Sequence, residues 1–195
     1  MPMTKLEAVN IALDAIGEDS VSTLSSGTSD AETAERMLDE TTRTILSEGW
    51  LFNTRVQYLT KNTEGKIVVP GNALSIDTYG EHGSINAINF GGFLLDLDTN
   101  LDTWTATKIR CEIIYSYDFA VLPFTLQDYI AHANAIAFQM ASMGSVSRNS
   151  LLYQRYSEAK IRVMSDDNLK GDPNILRDNP GSREAMYRNN RLYGR

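Results

Sequence analysis

The spacing of apolar residues changes twice along this chain, and that change limits the fold more than any single motif does. Between Thr4 and Ile16, the residues Leu6, Val9, Leu13 and Ile16 recur at three- and four-residue steps, with Thr4 placed as an N-cap and Gly17 at the stop. That predicts a first amphipathic helix. Residues 18–29 are rich in Ser, Thr, Gly and Asp, with Val21 and Leu24 as isolated anchors, and read as a loop. A second helix is expected from Ser29 or Asp30, either of which suits an N-cap, with Ala34, Leu38, Thr41 and Ile45 along one face before Gly49.

After Trp50 the period shortens. The runs 56–60, 66–69, 74–78, 84–90, 93–97 and 108–115 are short and partly alternating, and Gly65, Pro70-Gly71-Asn72, Gly80, Gly83 and Gly91-Gly92 separate them. The intervals leave no room for crossover helices, so the sheet must be antiparallel. Helical spacing returns after Pro123. Leu126, Ile130, Ala133, Ala137 and Met140 mark one stripe, while Ile136 and Phe138 make other faces apolar, so this helix should be the most buried. Gly144 ends it, Ser147 can cap the next, and Leu152, Tyr156, Ala159 and Val163 form the last stripe, opposite Arg155, Glu158, Lys160 and Arg162. Asp172-Pro173-Asn174 breaks that helix, and the polar remainder reads as an extended tail.

The fold class expected is therefore α+β, a four-helix core with an inserted antiparallel β subdomain and an extended C-terminal tail. The boundaries are 1–54 for the first core helices, 55–120 for the β insertion, 121–170 for the last core helices and 171–195 for the tail. A chain of 195 residues with 42% hydrophobic content can fill such a core. Gly49, Trp50 and Phe52 sit where the period changes and are expected to act as a structural hinge, the two rings sharing one face of an extended segment and pinning the sheet to the helices.

Charge and chemistry narrow the function. The net charge of -7 argues against a protein that wraps nucleic acid. Five Arg against three carboxylates give residues 172–195 a charge of +2, which leaves -9 on residues 1–171. An acidic body with a basic, aromatic tail suits a tail that docks on an acidic partner, with Arg177, Arg183, Tyr187, Arg188, Arg191 and Tyr193 as the candidate contacts. Cys111 is the only cysteine, which excludes an internal disulfide and reads as a buried strand thiol. No run of about 18 apolar residues is present, so no membrane anchor is expected.

No catalytic constellation stands out. His82 reads as a turn residue and His132 as a structural histidine on a helix, neither in a metal-ligand spacing. The carboxylate pairs Asp39-Glu40, Asp96 with Asp98, and Asp166-Asp167 are too weakly patterned for a metal or acid–base site, although Asp96 and Asp98 are expected on one face of a strand. The glycines lack phosphate-loop spacing, and no serine has an activating His and acid in a nucleophile motif. No cofactor and no enzymatic activity are expected.

A family resemblance then joins these readings. The residues Val9-Asn10-Ile11-Ala12-Leu13, Ile16-Gly17-Glu18 and Ser47-Glu48-Gly49-Trp50-Leu51-Phe52-Asn53-Thr54 look like tail tubular protein A of short-tailed, podovirus-type bacteriophages. So, in the same order, do Gly65-Lys66-Ile67-Val68-Val69-Pro70, Leu74-Ser75-Ile76-Asp77, Gly91-Gly92-Phe93-Leu94-Leu95-Asp96 and Leu122-Pro123 with Tyr129-Ile130. Asp19 stands where relatives tend to carry Pro. The resemblance covers residues 6–140 best.

It implies a head-to-tail adaptor: a dodecameric ring in the virion, assembled in the host cytoplasm, that joins the portal protein to a tail nozzle protein of the tail tubular protein B type. By similarity, the helical core builds the ring, the β subdomain faces the nozzle or a neighbouring subunit, and the C-terminal region reaches the portal. DNA passes through the channel without specific binding, and no catalysis is implied. Three rivals remain on the sequence alone. One is another phage neck or connector component, one a metal-dependent hydrolase using Asp96 and Asp98, and one a nucleic-acid-binding module using the Arg-rich tail.

Overall fold

The computed structural model of the chain describes residues 2–24, 29–143 and 149–171. Four helices frame it: α1 (Lys5–Ile16), α2 (Ser29–Leu46), α3 (Phe124–Met143) and α4 (Asn149–Gly171). Five strands lie between α2 and α3: β1 (Thr54–Thr60), β2 (Ala73–Thr78), β3 (Ala87–Phe90), β4 (Phe93–Asp96) and β5 (Lys108–Tyr115). The α+β architecture expected from the change of period is the one observed. The tail, together with Gly144 and Ser147, lies outside the described residues.

Local chemistry sets the ends of α1 as its sequence predicts. The Glu7 amide donates to the Thr4 hydroxyl at 3.2 Å and the Thr4 amide donates to the Glu7 carboxylate at 2.7 Å, so two otherwise unpaired donors satisfy one another's residue. Such a cap contributes about 1 kcal/mol. At the other end Gly17 takes φ 87° and returns its N–H to the Leu13 carbonyl at 3.1 Å. The second helix already includes Ser29 and Asp30, so both lie in its first turn and neither is its cap. Its buried face is Ala31, Ala34, Leu38, Thr42 and Ile45. Thr42 rather than Thr41 turns inward, returning its hydroxyl to the Leu38 carbonyl at 2.7 Å.

The third helix is the axis of the helical body, and α1, α2 and α4 all pack on it. The buried alanines Ala8, Ala12 and Ala15 on α1, with Ala31 and Ala34 on α2, keep both helices close to it. Its buried face differs from the simple apolar stripe. Met140 is exposed, whereas Gln127, Asn134 and Gln139 are buried. Each of these amides donates to a backbone carbonyl of another segment: Gln127 to Phe119 at 2.8 Å, Asn134 to Ala34 at 3.2 Å and Gln139 to Ala15 at 2.9 Å. Buried amides tolerate this position because they meet acceptors there. A pattern that counts only apolar residues misses them.

Strand β5 is the centre of a three-stranded antiparallel sheet in the order β1-β5-β2. Ile109, Cys111 and Ile113 point into a second core with Ile67, Val69, Ile76, Leu94 and Trp104. The hairpin β3–β4 covers this core as a separate two-stranded sheet, turned by Gly91 and Gly92 at φ 62° and 86°. Residues 66–69 do not form a ladder strand. They make only single bridges, Lys66 to Thr103, Ile67 to Lys61 and Val68 to Phe93, and so lace the hairpin to its surroundings. The run expected at 84–90 is shorter than the pattern suggests, because the chain turns at Gly80–His82 and enters β3 only at Ala87.

Candidate functional site

The junction between the helical body and the sheet is built around a residue whose side chain is polar and wholly buried. Asn53 is 0% exposed, and its side chain meets three backbone groups. Its Oδ1 accepts from the Trp50 amide at 2.7 Å, and its Nδ2 donates to the Leu46 carbonyl at 2.9 Å and to the Tyr115 carbonyl at 2.9 Å. The end of α2, the start of β1 and the end of β5 are therefore tied at one side chain. In the sequence Asn53 stands out only as part of a marker run. Its signal is its place three residues after Trp50, the spacing of a side chain that closes a turn.

Gly49 and the two rings have a different geometry from the extended one expected. Asn53 and Thr54 both donate backbone N–H groups to the Trp50 carbonyl, at 3.0 and 2.9 Å, so residues 50–54 form a closed turn. The Trp50 ring enters the helical core edge-on to Tyr129, with centroids 6.3 Å apart, and its Nε1 donates to the Ile45 carbonyl at 2.8 Å. Phe52 instead packs against Tyr117 at 6.1 Å. A turn sends the two rings to different neighbours, where a strand would have aligned them. Gly49 sits at φ +78°, and a Cβ there would come 2.9 Å from Ile114 Cδ1.

Helix α4 reaches the same junction. The Leu51 amide donates to Asp167 Oδ1 at 2.9 Å, and the Thr125 hydroxyl donates to Asp166 Oδ2 at 3.0 Å. The Asp166-Asp167 pair thus ties α4 to the turn and to α3. A cleft of about 240 Å³ lies beside it, lined by Trp50, Leu51, Phe52, Pro123, Leu126 and Val163 among others. Farther along, Arg162 donates to Asp128 Oδ2 at 2.6 Å and His132 Nε2 lies 3.4 Å from Asp128 Oδ1. The hydrogen bond from His132, and after it the one from Arg162, holds the Asp128 carboxyl below the ordinary aspartate value of 3.8.

The other candidates resolve into structural partners. His82 closes the turn at Gly80–His82, and its Nδ1 accepts from the Arg110 amide at 3.2 Å. Asp96 ends β4, and its Oδ1 accepts from the amides of Asp98 and Thr99 at 2.8 and 3.3 Å. Asp98 lies in the turn that follows, so the two carboxylates do not share a strand face as the sequence suggested. Asp39 pairs with Lys5 at 2.7 Å. Cys111 is the buried strand thiol its position implied, and burial pushes its pKa up to about 11. Among the described residues no group of three or more His, Cys, Asp or Glu could hold a metal ion. Arg177, Arg183, Tyr187, Arg188, Arg191 and Tyr193 lie outside the described residues.

The described surface also exposes apolar side chains, two groups of them on single elements. One is the outer face of the hairpin, with Val68, Ile88 and Phe90 at 54%, 40% and 67% exposure. The other runs along α4, with Tyr153, Ile161 and Met164 at 43%, 68% and 48%. Apolar surface of that kind marks sites of protein contact.

Comparison with known proteins gives the class of this helical body with its β insertion, a structural component of an assembly. The profile described as tail tubular protein matches residues 6–173, so the chain belongs to the tail tubular protein family. It is similar to a protein named tail tubular protein A from Klebsiella phage KP34, with 26% identity over 163 residues that span 84% of each chain. The chain is thus a structural component of a phage tail, found in the virion together with other phage structural proteins. Among the described residues no helix is long and apolar enough to cross a membrane.

Proposed function

We propose that this chain is a head-to-tail adaptor. Copies assemble into a dodecameric ring beneath the portal protein and present a surface to a nozzle protein of the tail tubular protein B type. The observation that carries this reading is the family match over residues 6–173, which takes in the β insertion and, from Leu6 onward, the four described helices. The chain performs no catalysis in this role, and it assembles in the host cytoplasm before entering the virion.

Charge supports the passage of DNA through such a ring. Residues 1–171 carry -9, and like charge along a channel repels phosphate, so the genome slides without being held. The tail beyond Gly171, with its Arg and Tyr residues, is the portal contact in this reading.

The test is assembly. Full-length protein mixed with the portal of the same phage should form rings on it, seen by electron microscopy and native mass spectrometry. Truncation after Lys170 should weaken that docking. Monomers with and without portal count against the adaptor reading. DNA binding that is steeply salt-dependent, and lost on removing residues 172–195, would assign the tail to nucleic acid instead.

A further inference from the structure

Strand β1 is an edge strand left open along most of its length. It pairs with β5 alone, in an unbroken register from Thr54 to Thr60. In an antiparallel ladder alternate residues turn their N–H and C=O groups to the partner. The Lys61 amide donates to the Thr107 carbonyl at 3.1 Å and the Tyr115 amide to the Asn53 carbonyl at 2.9 Å, so the odd-numbered residues face β5. The N–H and C=O groups of Val56, Tyr58 and Thr60 therefore point the other way, and among the described residues they meet no partner. Residues 55–58 are all exposed. The devices that ordinarily blunt an edge are missing: β1 has no bulge and no proline, and its one charged residue, Arg55, turns back to the Leu51 and Thr54 carbonyls at 3.2 and 2.9 Å. The other edge strand, β2, has a register shift between Ala73 and Ser75 and lies beside β3.

The chain leaves the helical body next to this open edge. Helix α4 runs antiparallel to α3, with Arg162 on Asp128 and Asp166 on Thr125, so its C-terminal end lies on the side where the sheet begins. The Leu51 amide bonds Asp167 there, and Gly171 follows one helical turn on, about 6 Å further. The cleft lined by Trp50, Phe52, Arg55 and Asp167 joins the two places, since Arg55 belongs to β1 and Asp167 to α4. Past Gly171, Pro173 and Pro180 bracket residues 174–179, a proline-free run that matches the open edge in length and contains Ile175 and Leu176. Proline has no N–H to give a ladder, so each of the two marks a place where a strand can start or stop.

We infer that residues 174–179 add to the open edge of β1 in the same copy, as a fourth strand of the β1-β5-β2 sheet. Backbone groups make most of such a contact, and it asks little of the side chains. The link of Asp172 and Pro173 is short, which sets the start of the segment at the Val56 end and makes it parallel to β1. The same copy supplies it because the tether holds it at an effective concentration on the order of millimolar, which a neighbour in dilute solution does not reach. The pairing shields an edge that would otherwise template association between free subunits. It goes beyond the adaptor reading and does not depend on a ring. Arg183, Tyr187, Arg188, Arg191 and Tyr193 lie past Pro180 and stay available to the portal.

Residue-resolved amide hydrogen exchange tests it, on the full-length chain, on the full-length variant Ile175→Pro/Arg177→Pro and on a chain truncated after Gly171. The amides of Val56, Tyr58 and Thr60 should exchange at least tenfold more slowly in the parent than in either comparison. Those of Gln57 and Leu59, which face β5, should be unchanged and report that the sheet is intact. Cys111 is 0% exposed and serves as a silent background for cross-linking. Under oxidation, Val56→Cys combined in turn with Ile175→Cys, Leu176→Cys or Arg177→Cys should close a disulfide within one chain.

Equal exchange at Val56, Tyr58 and Thr60 in all three chains overturns the inference, because the edge is then either open or held by another partner. Covalent dimers in place of the intramolecular disulfide overturn it in favour of a neighbour's tail, and no disulfide with any of the three partners overturns it as well. The adaptor reading stands or falls separately, on assembly with the portal.

Discussion

Asn53 and Tyr115 are bonded in both directions: the Tyr115 amide donates to the Asn53 carbonyl at 2.9 Å, and the Asn53 side chain donates back to the Tyr115 carbonyl at 2.9 Å. The strand that leaves the helical body and the strand that returns to it are thereby clamped at one point. Because the Asn53 side chain is wholly buried, its polar groups depend on these backbone partners.

Replacing Asn53 by Ala takes its side-chain partner from the Trp50 amide and one donor each from the carbonyls of Tyr115 and of Leu46, which keeps the Gly49 amide at 3.2 Å. The expected loss is about 2–4 kcal/mol, from three buried partners left unpaired or partly paired. Denaturant unfolding measures it. A loss under about 1 kcal/mol would show that water replaces the side chain there.

At Gly49 the backbone conformation, not the space, should set the cost. Gly49→Ala is expected to destabilise by about 1–2 kcal/mol, the usual penalty for a side chain at positive φ. Gly65, at φ +81° with nothing within 4 Å of where a methyl would stand, is the control. The two alanine variants should agree within about 0.5 kcal/mol, because Ile114 Cδ1 is the end of a side chain that can rotate away. A much larger loss at Gly49 would mean that Ile114 is locked.

The Asp128 cluster should make the packing of α3 on α4 acid-sensitive. Its carboxyl titrates below 3.8 in the folded chain, so the stability it confers is complete above that value and is lost as the pH falls through the lowered folded one. Thermal unfolding of the parent and of Asp128→Asn should therefore differ at pH 6 and converge toward pH 3. A constant difference across that range would remove Asp128 from the acid response.

Cys111 should resist modification. A thiol buried in the sheet core, with its pKa pushed up to about 11, holds almost no thiolate at pH 8. Labelling by a thiol-exchange reagent should follow the unfolding rate rather than the reagent concentration. Rapid labelling in native buffer would show that β5 opens locally.

The periodicity carried the element order because each helix and each paired strand buries residues at its own repeat, and burial is what that repeat encodes. Residues 66–69 escaped it. They alternate like a strand, with Ile67 and Val69 buried, yet they make only single bridges, and pairing depends on neighbours distant in sequence. The buried amides of α3 escaped for a related reason: their acceptors, at Ala15, Ala34 and Phe119, come from other elements. The same holds for the junction. Trp50 and Phe52 were legible as anchors, but the turn that separates their rings is closed by Asn53, which reads as an ordinary loop residue until Leu46 and Tyr115 are placed beside it.

The reciprocal bonding of Asn53 and Tyr115 has a modular consequence. Everything from Thr54 to Ile114 leaves and re-enters the helical body through neighbouring positions of one antiparallel pair. A segment whose two ends already touch can be lengthened, shortened or exchanged without changing the distance the helices must span. The body can thus stay fixed while the head it carries is refitted to a different mate.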